Sequence, residues 1–91
     1  MIRLNCFFQA DEGRTQEALE AAKALTKASL EQEGCIAYDV FASATRPGML
    51  LICETWKDEA ALAAHSNSAP FEKYVAIINR AGKMKIEKFE F

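Results

Sequence analysis

The run MLLIC at residues 49–53 constrains the fold of this chain most, because every one of its side chains is apolar. A strand with one face in water alternates apolar and polar residues, so a run without alternation predicts a strand covered on both faces. In the first predicted strand, Phe7 and Phe8 also point to opposite faces. We therefore expect a sheet that is apolar on both sides, and an apolar face left in water would exceed the few hundred Å² typical of monomers.

The other elements follow from periodicity and from turn residues. Alternating side chains predict a strand over residues 2–9, with Ile2, Leu4, Cys6 and Phe8 on one side. Helical periodicity predicts an amphipathic helix from about residue 14 to residue 33, with Gly34 as its stop. Residues 35–43 and 49–56 flank a short Pro-Gly loop, which predicts a β-hairpin.

The last third of the chain predicts two helices and a strand. Asp58 offers a cap to a short helix over residues 59–65, and Pro70 suits the first turn of another helix, which Gly82 ends. The tail, KMKIEKFEF, alternates apolar and charged residues as an edge strand does. Its phase slips between Ile86 and Phe89, which predicts a bulge.

This order of elements defines an α+β fold. Strand, helix, strand, strand, helix pair and strand make the split βαβ arrangement called ferredoxin-like, here one domain over residues 1–91. Right-handed crossovers put both helical layers on one face of a four-stranded antiparallel sheet and leave the other face bare. A small chain also buries only about 60–65% of its unfolded surface. We therefore expect a homodimer with two-fold symmetry, sheet against sheet, forming a dimeric α+β barrel.

Charge and composition exclude several classes of partner. The chain has 11 basic and 13 acidic residues, a net charge of −2, and 51% apolar residues, with both signs interspersed. It has no basic stripe for nucleic acid and no polybasic membrane segment. No apolar run approaches the roughly 20 residues that cross a bilayer, and the first residues lack the apolar core of a signal peptide. We expect a cytoplasmic protein.

Cofactor and metal motifs are absent from the sequence. The three cysteines, Cys6, Cys35 and Cys53, include no CxxC pair, and the chain has one histidine, so neither a disulfide framework nor a zinc site is predicted. There is also no GxGxxG, P-loop or GxSxG motif. We expect no cofactor and no metal, so an enzyme built on this chain would work with side chains alone.

Two polar residues are candidate catalytic groups. Glu54 interrupts the apolar strand LLICETW, and a buried carboxylate with a raised pKa suits a general acid or base. The alternative is a structural carboxylate that is paired or hydrogen-bonded. His65 lies where a helix ends and points toward the sheet; the helix C-terminus favours imidazolium and predicts a raised pKa. The alternative for His65 is a hydrogen-bonded structural histidine.

Five more residues are candidates for binding a substrate. Trp56 shares a strand face with Glu54 and would form a flat wall. Asn5, with Phe7 on the same strand parity, would place an amide in the space beneath the helices. Tyr38 and Tyr74 are phenols suited to a pocket rim. Each of these residues also fits a packing or backbone-satisfying role.

Two stretches, EGCIAYDVF and RPGMLLICETWKDEAALAAHSNSAPFEKY, resemble the antibiotic biosynthesis monooxygenase (ABM) family, closest to its small quinol-monooxygenase-like members. The resemblance rests on the ordered set E-G-C, E-T-W-K-D, A-L-A-A-H and S-x-x-F. It implies a dimeric ferredoxin-like α+β barrel with a pocket between sheet and helices in each subunit. Asn5, Glu54, Trp56 and His65 match the polar and aromatic places of the motif.

The resemblance also implies a chemistry. Cofactor-free oxygenases of the family convert phenolic or quinol substrates to quinones, since a deprotonated, electron-rich hydroxyarene itself reduces O₂. The haem-degrading branch has Trp where this chain has His65, and a ligand histidine in the last helix where this chain is apolar near Val75. The resemblance therefore does not extend to haem degradation.

Three functional hypotheses follow. The first is a cofactor-independent monooxygenase of a quinol-like aromatic, with His65 or Glu54 as proton acceptor, Trp56 and Phe7 as apolar walls and Asn5 orienting a hydroxyl. The second is an isomerase or degrader of a small keto or phosphorylated metabolite. The third is a non-enzymatic dimeric module that binds a small ligand.

Overall fold

The computed structural model describes residues 1–91 as one antiparallel sheet and three helices. The elements are, in chain order, β1 (Ile2–Ala10), α1 (Thr15–Leu30), β2 (Cys35–Ala42), β3 (Met49–Trp56), α2 (Glu59–Ser66), α3 (Ala69–Arg80) and β4 (Gly82–Glu90). The four strands lie in the order β2-β3-β1-β4, and every neighbouring pair is antiparallel. The predicted α+β ferredoxin-like fold is confirmed.

Strand register decides which side chains share a face. Leu4 is paired with Glu54, and Glu54 with Tyr38, so these three lie side by side on the face that the helices cover. The alternate residues form what we call the open face, whose central side chains are Asn5, Phe7, Phe41, Met49, Leu51 and Cys53. On β3, Leu50 and Ile52 are buried beneath the helices, whereas Met49 and Leu51 lie on the open face. The sheet is thus apolar on both sides, as expected.

Helix ends agree with the capping residues in the sequence. The side chain of Asp58 accepts a hydrogen bond from the backbone N–H of Ala61 at 2.8 Å, and Ser68 caps α3 by accepting from the N–H of Phe71. Helix α1 ends at Leu30, earlier than predicted, and a turn separates it from Gly34, which has φ 83°. Gly82 does not end α3, which ends at Arg80; it begins β4. Glycine fits this position because a Cβ would overlap the backbone carbonyl oxygen of Gln9 in β1.

The predicted bulge in the last strand is wrong. Strand β4 is paired with β1 without a shift from Gly82 to Glu90, and the only register shift in the sheet lies in β2, between Cys35 and Ala37. Ile86 lies on the helix-covered face, and Phe89, opposite Arg3, lies on the open face. The change of phase in the apolar pattern arises because both faces of the sheet carry apolar residues. It does not reflect an inserted residue.

None of the helices has the length and apolarity needed to cross a bilayer.

Candidate active site

A cavity of about 350 Å³ lies between the helix-covered face of the sheet and helices α2 and α3. Most of its lining is apolar, with Leu4 and Ile52 from the sheet and Leu62 and Val75 from the helices. The polar side chains in the lining are those of Tyr38, Glu54, His65, Ser66 and Asn79. No lysine or arginine lines it. A cavity of this size and character suits a small, largely apolar ligand held by a few polar contacts.

Glu54 is a buried carboxyl group, with 4% of its surface exposed. The indole Nε1–H of Trp56, two residues further along β3, donates to Glu54 Oε1 at 3.0 Å. Burial raises the pKa of Glu54, and the hydrogen bond from Trp56 offsets part of that rise because it stabilises the carboxylate. The direction of the shift agrees with the sequence-based expectation.

His65 is enclosed by aromatic rings in the last turn of α2 and is 2% exposed. Its ring centroid lies 4.5 Å from that of Trp56, 5.1 Å from Phe71 and 5.6 Å from Tyr38. Burial lowers the pKa of His65 to about 4, so the imidazole is neutral at pH 7. The expected rise in pKa is wrong, because removing imidazolium from water costs more than the partial negative charge at the helix end returns.

The two ring nitrogens of His65 have different surroundings. Nδ1 is hydrogen-bonded to Oε1 of Gln32 at 2.7 Å. Nε2 is buried without a hydrogen-bond partner and lies 3.9 Å from Oε1 of Glu54. That distance is too long for a hydrogen bond, and a neutral imidazole forms no ion pair. A buried, unpartnered nitrogen beside a carboxyl group, on a residue that lines the cavity, is a candidate proton acceptor.

Gln32 is a site residue that the sequence does not single out. It lies in the turn after α1 and meets His65 across 33 residues of chain. It follows no apolar periodicity and belongs to no motif, so no local signal marks it.

The tyrosines and the tryptophan have different positions. Tyr38 lines the cavity as expected; burial, together with the negative charge of Glu54, raises its pKa, so the phenol stays protonated. Trp56 is fully buried and lies behind Glu54 and His65, outside the cavity lining, so it supports these two groups rather than forming a wall. Tyr74 is half-buried on α3 and packs against the core without lining the cavity. The ammonium of Lys73 lies 5.2 Å from the Tyr74 ring centroid.

Asn5 and Phe7 lie on the open face, separated from Glu54 and His65 by the sheet itself. The expectation that they reach the space beneath the helices is therefore wrong. The positions of β1 that face the cavity are those of Leu4 and Cys6, one residue out of phase with Asn5 and Phe7. Phe7 lines shallow depressions on the open face instead.

The thiols and carboxylates do not gather into a metal site. Cys6, Cys35 and Cys53 are free, and no group of three or more His, Cys, Asp or Glu side chains is arranged to hold a metal ion. Cys6 lines the cavity, and burial raises its pKa to about 12, so that its thiol stays protonated and acts as an apolar lining group.

Comparison with known proteins defines the class of this protein. Residues 1–77 match the family model described as Antibiotic biosynthesis monooxygenase. A Bacillus subtilis protein, described as "Putative monooxygenase YcnE", is 33% identical over 76 residues, which is 84% of this chain and 80% of that protein. The chain belongs to the antibiotic biosynthesis monooxygenase family.

Solved structures share the fold of this chain. A Bacteroides thetaiotaomicron protein of unknown function, described as "Possible Oxidoreductase", has 53% sequence identity and a TM-score of 0.96, over 99% of this chain and 96% of that one. A conserved Methanosarcina mazei protein has 28% identity and a TM-score of 0.92, over 98% of this chain and 90% of that one. Family membership and the B. subtilis relative support a monooxygenase-like role.

Proposed function

We propose that this protein is a cofactor-independent monooxygenase that oxidises a small, uncharged, quinol-like or phenolic aromatic with O₂. The observation that carries the proposal is that His65 Nε2, buried and without a hydrogen-bond partner, lies 3.9 Å from the carboxyl of Glu54, and that both residues line an apolar cavity. Buried polar atoms are nearly always hydrogen-bonded, so an orphan of this kind marks a place where a ligand hydroxyl fits.

The proposed first step is a proton transfer. The substrate hydroxyl donates its proton to Nε2 of His65, a nitrogen that is unpartnered in an imidazole that is neutral at pH 7. An ionised Glu54, 3.9 Å from Nε2, then stabilises the imidazolium that forms. This assigns His65 as the base and Glu54 as its electrostatic partner.

Oxygen chemistry follows from the deprotonated substrate. The electron-rich hydroxyarene anion transfers an electron to O₂, and the two radicals combine into a carbon–oxygen bond. Where the reacting carbon carries hydrogen, as in a hydroxyanthrone or a phenol with a free para position, that hydrogen leaves as a proton and the O–O bond breaks. One oxygen atom stays on that carbon as the quinone carbonyl and the other leaves as water, so the substrate supplies all four electrons. The enzyme binds, orients and deprotonates, and the apolar lining excludes water from the reacting centre.

The charge around the cavity supports an uncharged aromatic over a phosphorylated metabolite. A phosphate needs arginine, lysine or a cluster of backbone N–H donors, and no basic side chain lines this cavity. The ammonium of Lys88, on the helix-covered face of β4, is already paired with the carboxylate of Glu59. If the protein were an isomerase instead, its substrate would be a small keto compound and not a phosphorylated one.

The assembly that we propose is a homodimer formed through the open face. Phe41 is 51% exposed there, and register places it beside Leu51, which in turn lies beside Phe7. A second copy related by two-fold symmetry would bury these apolar side chains against their own counterparts. The cavity lies on the other side of the sheet, so each subunit would keep its own.

The test is enzyme-dependent O₂ uptake with menadiol-type and hydroxyanthrone substrates, corrected for autoxidation, together with incorporation of label from ¹⁸O₂ into the quinone formed from the hydroxyanthrone. We expect His65→Ala to lower the rate by about 10²–10⁴-fold and Glu54→Gln by about 10²-fold. Glu20→Gln, at an exposed carboxylate on α1, is the matched control and leaves the rate unchanged.

Two outcomes would contradict the proposal. One is the absence of an enzyme-dependent rate with these substrates, and the other is a rate that His65→Ala does not change. Turnover of a keto substrate under strictly anaerobic conditions would support the isomerase alternative instead.

A further inference from the structure

Three helix ends meet at His65 through a short chain of hydrogen bonds. Gln32, after the end of α1, contacts Nδ1 of His65 through its Oε1 and donates from its Nε2 to Oγ of Ser68 at 3.1 Å. Ser68, at the start of α3, donates from Oγ to the backbone carbonyl of His65, at the end of α2, at 2.7 Å. This series of hydrogen bonds therefore begins at the imidazole of His65 and ends at its backbone carbonyl.

The direction of every hydrogen bond in this chain is fixed by its last acceptor. The carbonyl oxygen of His65 only accepts, so the single hydroxyl proton of Ser68 must point at it. Oγ of Ser68 must then accept from Gln32, which turns the amide nitrogen of Gln32 toward Ser68 and its oxygen toward His65. Because that amide oxygen only accepts, Nδ1 of His65 must carry the proton.

We propose that Gln32 is a positioning residue that holds His65 in the Nδ1–H tautomer and so leaves the lone pair of Nε2 free beside Glu54. Its importance for turnover rests on the proposed function, but the tautomer is a property of the resting protein. The opposite tautomer would direct an N–H at Oε1 of Glu54, where a small shift would make a hydrogen bond and remove the proton acceptor. By accepting a hydrogen bond from Nδ1–H, Gln32 thus makes His65 a base instead of a structural histidine that is hydrogen-bonded to Glu54.

The chain has one histidine, which makes the tautomer directly measurable. In protein labelled with ¹⁵N-histidine, the shifts of the two ring nitrogens distinguish protonated from unprotonated nitrogen. We expect the wild type at neutral pH to show a protonated Nδ1 and an unprotonated Nε2. In Gln32→Met, which keeps the length of the side chain but removes the acceptor, we expect the proton to move wholly or partly to Nε2.

Two further variants make the test specific. Gln32→Glu keeps an oxygen acceptor at the same position, so the Nδ1–H tautomer should persist. Gln16→Met is the matched control, since Gln16 is an exposed residue on α1 that bonds only Glu20, and it should leave the histidine spectrum unchanged. A wild-type spectrum with the proton on Nε2, or an unchanged spectrum in Gln32→Met, would overturn the proposal. Should Gln32→Met fail to fold, the wild-type and Gln32→Glu spectra still decide.

Kinetics separate positioning from binding. Gln32 does not line the cavity, so Gln32→Met should lower kcat by about 10–10²-fold with little change in KM, and Gln32→Glu should recover most of the loss. The two proposals fail independently. A confirmed tautomer without enzyme-dependent O₂ uptake would contradict the monooxygenase function alone, whereas O₂ uptake with an unaffected tautomer would contradict the role of Gln32 alone.

Discussion

The indole Nε1 of Trp56 donates a hydrogen bond to Oε1 of Glu54 at 3.0 Å, and the same oxygen is the one nearest to Nε2 of His65. This donor, together with Tyr38, therefore supports the ionised form of a carboxyl group whose pKa burial raises. The consequence is a prediction about the pH dependence of activity.

Trp56→Phe should move the acidic limb of the kcat/KM profile to higher pH. The variant keeps an aromatic ring beside His65 but removes the donor, and a hydrogen bond to a charged group contributes about 1.5–3 kcal/mol. At about 1.4 kcal/mol per pKa unit, the limb should shift upward by roughly one to two units. Tyr74→Phe, at an aromatic residue outside the cavity, is the control. Coincident profiles for wild type and Trp56→Phe would contradict the role given to Glu54.

His65 should make the folded protein less stable as the pH falls. Its pKa is lowered from 6.5 to about 4 in the folded state, so between these values the unfolded chain binds more protons at this position. The free energy of unfolding therefore decreases from about pH 6.5 toward about pH 4, by up to roughly 3 kcal/mol through this residue. Glu54, whose pKa is raised, contributes in the opposite sense.

Urea denaturation of wild type and His65→Asn at several pH values isolates this contribution, because Asn does not titrate. We expect the stability of the wild type to fall more steeply with acid than that of the variant. Parallel curves would show that His65 is protonated at the same pH in the folded and unfolded chains.

Gly34 and Gly13 offer a matched pair for the close approach of α2. Both have positive φ, 83° and 80°, so replacement by Ala strains either backbone by about 1 kcal/mol or slightly more. A Cβ at Gly13 meets nothing within 4 Å, whereas one at Gly34 overlaps the Cβ of Ala61, one turn before His65.

Gly34→Ala should therefore lower the free energy of unfolding by about 1–3 kcal/mol more than Gly13→Ala, and should also lower activity because α2 carries His65. Thermal and urea denaturation of both variants measure the difference. Equal losses of stability would mean that α2 moves aside without cost.

The open face should control assembly. Phe41 on this face and Leu30 at the end of α1 are equally exposed, at 51% and 54%. Phe41→Glu would place like charges into a two-fold interface and should weaken association by at least about tenfold. Leu30→Glu should leave it unchanged. Sedimentation at micromolar concentration tests both variants, and a monomeric wild type would contradict the proposed dimer.

Local pattern was sufficient for much of the fold and for part of the site. Alternation in β1 and the unbroken apolar run in β3 predict the sheet, and the two-residue period of a strand correctly groups Glu54 with Trp56 on one strand face. The same alternation places Leu4 and Cys6 toward the helices. The prediction that Asn5 and Phe7 reach the space beneath the helices rests on their chemistry and goes against this alternation, and the structure places both residues on the open face.

The remaining features depend on tertiary contacts. Gln32 and His65 are brought together only when the ends of α1 and α2 pack, which no period in the sequence encodes. The sign of the pKa shift at His65 depends on how completely Trp56 and Phe71 exclude water, and a helix-end argument contains no information about that burial.

Trp56 is the only tryptophan in the chain, and its ring lies against the imidazole of His65, with the two ring planes tilted by 33°. The tryptophan fluorescence of the protein therefore comes from one site, next to the proposed base. Quenching of this fluorescence, or a shift of its emission maximum, would report ligand binding in the unlabelled protein. The signal would change before any product forms.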